Sequence, residues 1–399
     1  MFAWELGSGM GHIGNALNVL AGLRERGHEV VAVVRSLAAG TKYLGPLGIE
    51  VRQAPRVTSK KFAAVATYPG VLAQVGWTNL AVVLNMTRQW SKFVDEIRPD
   101  QLIVEHAPSA LLAARGRHLS IVNLGTGWSV PPAATPMPSV VWWLAPDPDL
   151  QAKADATEAQ VLRAMNGAAA LVGVPRLEAV IDLFSNSEPM LVTWPEFDHY
   201  AIRPDVTYHG PQMMLDSGVR ASWSGSSWSG SEKRLVGYLR EESKTGLALV
   251  RALALRDDVE SVIYLAGADA HLRAELNTPR MTLVDQPLDL GSMLPEADVL
   301  VSHASFGTVT AGVLHGVRQI GVPRHLEQAV VMSRVEALQI GRNARALASQ
   351  QVSEAIDDVL SNPQLEASAK ALAAKYRGYD AKRAATVMVD RCEELLARP

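Results

Sequence analysis

Short apolar runs alternate along the chain with longer stretches in which apolar positions recur every three or four residues. The runs predict strands at Phe2–Leu6, Glu29–Arg35, Ile49–Arg52, Gln101–Glu105, Ser120–Leu124 and Met190–Trp194. A second set falls at Arg234–Leu239, Ser261–Leu265, Met281–Val284, Val299–Ser302 and Gln319–Val322. Both sets are rich in Val, Ile and Leu on both faces, as expected of parallel strands buried on both sides. The intervening 3.6-residue periodicity predicts helices. Ile13, Ala16, Leu17, Leu20 and Leu23 form one buried stripe, and Arg26, Gly27 and His28 mark its end. Val71–Ile97 reads as a long helical stretch, and Tyr379–Leu396 as one amphipathic helix. The β–α alternation predicts an α/β protein with two doubly wound parallel sheets.

Between the two sets lies Trp223-Ser224-Gly225-Ser226-Ser227-Trp228-Ser229-Gly230-Ser231, a Ser/Gly/Trp repeat with the composition of a linker. The expected division is an N-terminal domain over 1–217, a linker over 218–232, a C-terminal domain over 233–377, and a C-terminal helix over 378–399 free to pack back on the first domain.

Bulk properties narrow the classes. At about 150 residues per domain, 399 residues suit two or three domains. A net charge of −3 gives no electrostatic case for nucleic acid or an anionic membrane. Cys392 is the single cysteine, which excludes a disulfide framework or thiolate metal cluster, and a structural role is expected for it. No signal-peptide pattern opens the chain, and no apolar run approaches the ~20 residues of an integral membrane segment. The cytoplasm is the expected location.

Candidate chemistry sits at strand ends. Gly7-Ser8-Gly9-Met10-Gly11-His12 joins the first strand to a helix. It lacks the third glycine of the dinucleotide fingerprint, and the second strand ends Val34-Arg35-Ser36 without an acidic residue, which argues against nicotinamide or flavin. His12 suits either a helix-capping role or a general base. Glu105 and His106 end a predicted strand, where a carboxylate either orients an imidazole or stays a solvated strand end. Asp298–Gly316 reads as strand, loop and helix. Its amides and helix dipole suit a diphosphate, with His303, Ser305 and Thr308 as further donors and Gly307 at the helix start. Glu327-Gln328 follows the next strand and suits sugar hydroxyls, or a solvated helix start.

In their order these residues resemble the GT-B glycosyltransferases that use nucleotide sugars, specifically the group of natural-product glucosyltransferases. The family's donor motif, roughly H-G-G-x-G-T, a helix ending G-V-P, then D-Q, stands here as His303-Ala304-Ser305-Phe306-Gly307-Thr308, Gly316-Val317-Arg318 and Glu327-Gln328. Val284-Asp285-Gln286-Pro287-Leu288 is similar to the base-contacting segment. Gly11-His12 with Arg26-Gly27-His28-Glu29-Val30 is similar to the family's N-terminal signature, and Val206–Pro211 to its turn before the linker. Five departures stand out: Ala304 and Ser305 replace glycines, Glu327 replaces Asp, Arg318 replaces Pro, and Glu105 stands where the family has a cleft Asp.

The resemblance implies two Rossmann-like domains facing across a cleft and inverting, metal-independent transfer of a sugar from a UDP- or TDP-sugar to an acceptor hydroxyl. His12 is then the base, with Glu105 or His106 holding it. Gln286, His303, Ser305, Gly307 and Thr308 hold the nucleotide diphosphate, and Glu327 and Gln328 the sugar. Trp128, in Gly125–Pro132, and Trp142, beside Trp143, are placed in the pocket for a small apolar or aromatic acceptor; ordinary packing explains them equally. No metal or cofactor is required, nucleic acid is not a partner, and a homodimer is allowed. The competing readings are a non-catalytic nucleotide-sugar-binding or partner protein of the same fold, a sugar-nucleotide epimerase, and a dehydrogenase.

Overall fold

The computed structural model describes residues 1–7, 9–57, 66–212, 218–223, 233–345 and 349–397. The chain divides into two units, Met1–Gln212 together with Asp380–Pro399, and Met213–Tyr379. Residues 224–232, which take in the Ser/Gly/Trp segment after Trp223, lie outside the described residues.

The first unit is built on six strands: β1 (Phe2–Trp4), β2 (Val31–Val34), β3 (Glu50–Gln53), β4 (Gln101–Glu105), β5 (Ser120–Gly125) and β6 (Glu188–Leu191). They pair in parallel in the order β3-β2-β1-β4-β5-β6. Phe2, Ala3 and Trp4 are all buried, as are Val31–Val34, so the unbroken apolar runs reflect cover on both faces. The helix Gly11–Glu25 buries Ile13, Ala16, Val19, Leu20 and Leu23. Instead of one long helix over Val71–Ile97, two form, Tyr68–Gln74 and Leu80–Ile97. Gly76, at φ +89°, turns the chain between them, and the Asn79 side chain caps the second by accepting from the Ala81 N–H.

The terminal helix Ala381–Leu396 belongs to this unit. Asp380 caps it through the amides of Lys382 and Arg383. Its Ala385, Met388, Val389 and Cys392 join Ile13, Val19, Leu20 and Leu23 in one core. Gly22 permits the approach, since a Cβ there would press on Val389. Arg26 pairs with Asp390 and Glu393, and His28 with Glu393. These pairs are at the solvent rim and screened, so burial of side chains such as Met388 and Val389, about 1.5–3 kcal/mol each, dominates.

The second unit repeats the plan with β7 (Lys233–Arg240), β8 (Val259–Ala266), β9 (Met281–Val284), β10 (Val299–Ser302), β11 (Arg318–Gly321) and β12 (Gly341–Asn343). The order is β12-β11-β10-β7-β8-β9, again parallel. β12 escapes the apolar pattern because it is a three-residue edge strand, Gly-Arg-Asn. In both sheets the winding reverses between the first and fourth strands, β1 and β4 or β7 and β10. Doubly wound sheets bind ligands at that point, beyond the carboxyl ends of the strands. Among the described residues, no helix is long and apolar enough to cross a membrane.

Candidate active site

In the first unit, the reversal point brings the loop after β1 beside the end of β4, with Trp4 paired to Glu105. His12, the second residue of the helix Gly11–Glu25, sets its Nδ1 2.6 Å from Oε2 of the buried Glu105. The other oxygen, Oε1, accepts from Asn15 Nδ2 at 3.2 Å. A buried carboxylate that only accepts hydrogen bonds fixes the proton on Nδ1 and makes Nε2 the basic atom. The Trp4 ring stacks on the imidazole at 5.2 Å and 25°. Trp4 is itself held by donating from Nε1 to the Leu6 carbonyl at 2.7 Å. Gly7, at φ +85°, passes the backbone across Nε2, where any Cβ would overlap the ring. The His12 side chain keeps 11% exposure.

His106 does not hold His12. It is buried at φ +47°, its ring lies 6.1 Å from that of His12, and neither ring nitrogen has a hydrogen-bond partner. Burial, reinforced by the charges of His12 and Arg35, pushes its pKa down to about 3, so it is neutral. Glu5, buried just past β1, is pushed up to about 7 by burial, opposed by donation from the Ser109 amide and hydroxyl.

The segment Gly125–Ser129 packs next to this pair, since a Cβ on Gly125 would meet Ser129 Oγ and stand 3.6 Å from Glu105 Oε1. Trp128 is half-buried there, with its ring 5.9 Å from that of His199. Trp142 sits on a separate segment, exposed and edge-on to Trp143.

In the second unit, β10 leads through His303–Ser305 into the helix Phe306–Leu314. Ala304 takes the left-handed conformation, φ +57°, with its amide bound to Ser302 Oγ at 3.0 Å. This turn explains why glycine suits the position. No side chain caps the helix; Ser305 Oγ instead meets Thr308 Oγ1 at 3.1 Å, and Gly307 has open space where a side chain would stand. The first-turn amides therefore suit an anion.

The expectation that His303 adds a donor or a positive charge fails in this geometry. Its Nδ1 donates to the Val322 carbonyl at 2.8 Å, and its Nε2 accepts from the Arg240 amide at 2.9 Å. Burial, the largest cause, pushes its pKa down. His303 is a neutral strut tying the end of β7 to the residue after β11. Gln286 is exposed just past β9. Glu327 and Gln328 lie in the first turn of the helix Leu326–Ala337, half-buried. Gln328 Oε1 accepts from the Arg324 amide at 2.9 Å, leaving Nε2 as the group it can offer. The nucleotide and sugar candidates thus gather at the carboxyl edge of the second sheet.

Arg318 is accounted for by packing. It lies at the opposite end of β11, buried, donating to the Leu360 carbonyl at 2.9 Å. The pattern reading missed Asn15, Trp4 and the function of Gly7. Asn15 was findable, because it lies three residues after His12 on one helix face. Trp4 and Gly7 carry no such local signal.

No protein-family model matches the chain. A curated relative, UDP-glucosyltransferase 1 of Beauveria bassiana (strain ARSEF 2860), is 30% identical over 123 residues, which is 30% of this chain. The match spans about a quarter (27%) of that relative's length. The solved structure of CalG4, the calicheamicin glycosyltransferase, superposes with a TM-score of 0.70 at 16% identity, over 100% of this chain and 98% of that one. The chain has the GT-B fold. Two further GT-B structures agree. The glycosyltransferase VinC, in complex with DTDP, has a TM-score of 0.67 at 15% identity over the whole of both chains. The spinosyn rhamnosyltransferase SpnG, complexed with spinosyn aglycone, has 0.64 at 16% identity, covering 99% of each chain.

Proposed function

We propose that this GT-B chain transfers a sugar from a nucleoside diphosphate donor to a hydroxyl of a small apolar acceptor, with inversion and with neither metal nor cofactor. The observation that carries the reading is the 2.6 Å contact between His12 Nδ1 and Glu105 Oε2. Nε2 of His12 takes the acceptor proton, and Glu105 stabilises the imidazolium that forms. The freed oxygen bonds to the anomeric carbon as the bond from that carbon to the diphosphate oxygen breaks, through an oxocarbenium-like state. The diphosphate leaves with the bonding pair. The amides from Phe306 to Thr308 and the dipole of their helix stabilise its growing charge.

A nucleoside diphosphate is supported by the DTDP bound to VinC, and uridine as its base by the name of the curated relative. A small-molecule acceptor is supported by the spinosyn aglycone bound to SpnG, and an apolar one by Trp128, which lies in the segment that packs next to Glu105. The test is a panel of UDP- and TDP-sugars with apolar phenols and alcohols, run in excess chelator, with products resolved by mass and anomeric configuration. His12→Ala is expected to lower turnover by about 10²–10⁴-fold with donor affinity kept. Unchanged turnover removes His12 as base, and a requirement for metal overturns the metal-free step.

A further inference from the structure

His303 is neutral and spent on backbone, so it brings no cation to the donor side of this proposal. The sheet order shows where one stands. β10 lies between β11 and β7, so any contact from the loop after β11 to the loop after β7 spans the end of β10. Arg324, three residues past β11, pairs through Nη2 with Glu242 Oε1, two residues past β7. The His303 ring makes the same crossing at backbone level, from Arg240 to Val322. Two bridges therefore cross the loop that leads into the helix Phe306–Leu314, a buried neutral one and an exposed charged one.

We infer that Arg324 is the diphosphate-binding cation of this chain, and that Glu242 is its place-holder, displaced when a nucleoside diphosphate enters. The inference rests on the donor-site reading above. The two partners are 35% and 60% exposed, and pairs of that kind are weak, so the exchange is easily made. Arginine suits the incoming partner, because its planar fork matches two phosphate oxygens at once. The Arg324 amide is held by Gln328 Oε1, which anchors the start of this side chain on the helix carrying the sugar candidates. The charge of Arg324 also helps push the His303 pKa down, after burial, which agrees with its lying near that loop. By taking the place of Glu242, a diphosphate also moves away a carboxylate that would repel it.

The test is calorimetric titration of the full chain with UDP and with TDP. Arg324→Gln is expected to weaken binding about tenfold or more, and Arg324→Lys to recover part of it as a point charge without the fork. Glu242→Gln is expected to tighten binding by up to about fivefold, the worth of an exposed pair. That gain is expected to shrink in the Arg324→Gln background, where Glu242 keeps only its 4.0 Å contact with Arg240. Wild-type affinity in a folded Arg324→Gln variant, checked by circular dichroism, overturns the assignment. An equal gain from Glu242→Gln in both backgrounds removes the place-holder role. If the wild-type chain binds neither UDP nor TDP, the donor-site reading itself fails, and that result is distinct from the others.

Discussion

Gly7 leaves the space that the His12 ring fills, because a Cβ on Gly7 would overlap Nε2, the atom proposed to take the acceptor proton. Gly7→Ala is therefore expected to push the imidazole aside and cost about 10²-fold in turnover, with UDP or TDP affinity unchanged. Gly9 is the control. It is also left-handed, at φ +103°, but its Cβ would meet nothing within 4 Å. Gly9→Ala carries the same backbone strain without the collision. Equal losses in the two variants would show that loop strain, rather than the seat of His12, sets the effect.

Glu5 and His106 give the first unit two opposed pH dependences. Glu5 titrates near 4.5 when unfolded and near 7 when folded, so its contribution is full below 4.5 and is lost as pH rises to 7. His106 titrates near 6.5 when unfolded and near 3 when folded, so its contribution is full above 6.5 and is lost as pH falls. Each slope is about 1.4 kcal/mol per pH unit, and the two oppose each other where the windows overlap. Glu5→Gln leaves His106 in control, so stability should climb from pH 4.5 to 6.5. His106→Asn, which also tolerates the left-handed backbone, should make it fall. Urea midpoints across that range decide the matter, and profiles parallel to wild type would refute the assignment.

His303→Ala removes a strut before it removes a ligand contact. Two backbone groups, the part-buried Arg240 amide and the buried Val322 carbonyl, lose their partners. The second unit should lose about 2–4 kcal/mol by denaturant titration. Undiminished stability combined with lost diphosphate affinity would restore His303 as a direct ligand.

Ala304 holds a conformation that glycine reaches freely. Ala304→Gly relieves strain of about 1–2 kcal/mol and gives back about 0.5–1 kcal/mol of chain entropy, so stability should change by less than about 1 kcal/mol. Ala304→Val puts a branched side chain at φ +57° in a fully buried site, and should cost more than about 2 kcal/mol. Equal midpoints for the two variants would contradict the left-handed turn.

Much of this was legible in the sequence, for definite reasons. Strands covered on both faces, such as Val31–Val34 and Val299–Ser302, leave apolar runs. Eleven of the twelve strands among the described residues were visible, the edge strand Glu50–Gln53 despite its poor cover, while the Gly-Arg-Asn edge strand left no run. His12 and Glu105 declared themselves because parallel strands send their carboxyl ends to one side of a sheet. The bridge from Glu242 to Arg324 was not visible, because it depends on β10 lying between strands that are distant in sequence. The neutrality of His303 was hidden for the same reason: its residue type advertises charge, and only the backbone groups around it cancel that.

The terminal helix makes the second unit an insertion in the first. The chain leaves the first unit at Gln212 and returns at Asp380. During synthesis, Val19, Leu20 and Leu23 therefore emerge long before Met388 and Val389, which complete their core. The second unit is continuous and can close first. The unit that carries the proposed base waits for the helix Ala381–Leu396 to leave the ribosome, with an apolar helix face uncovered until it does.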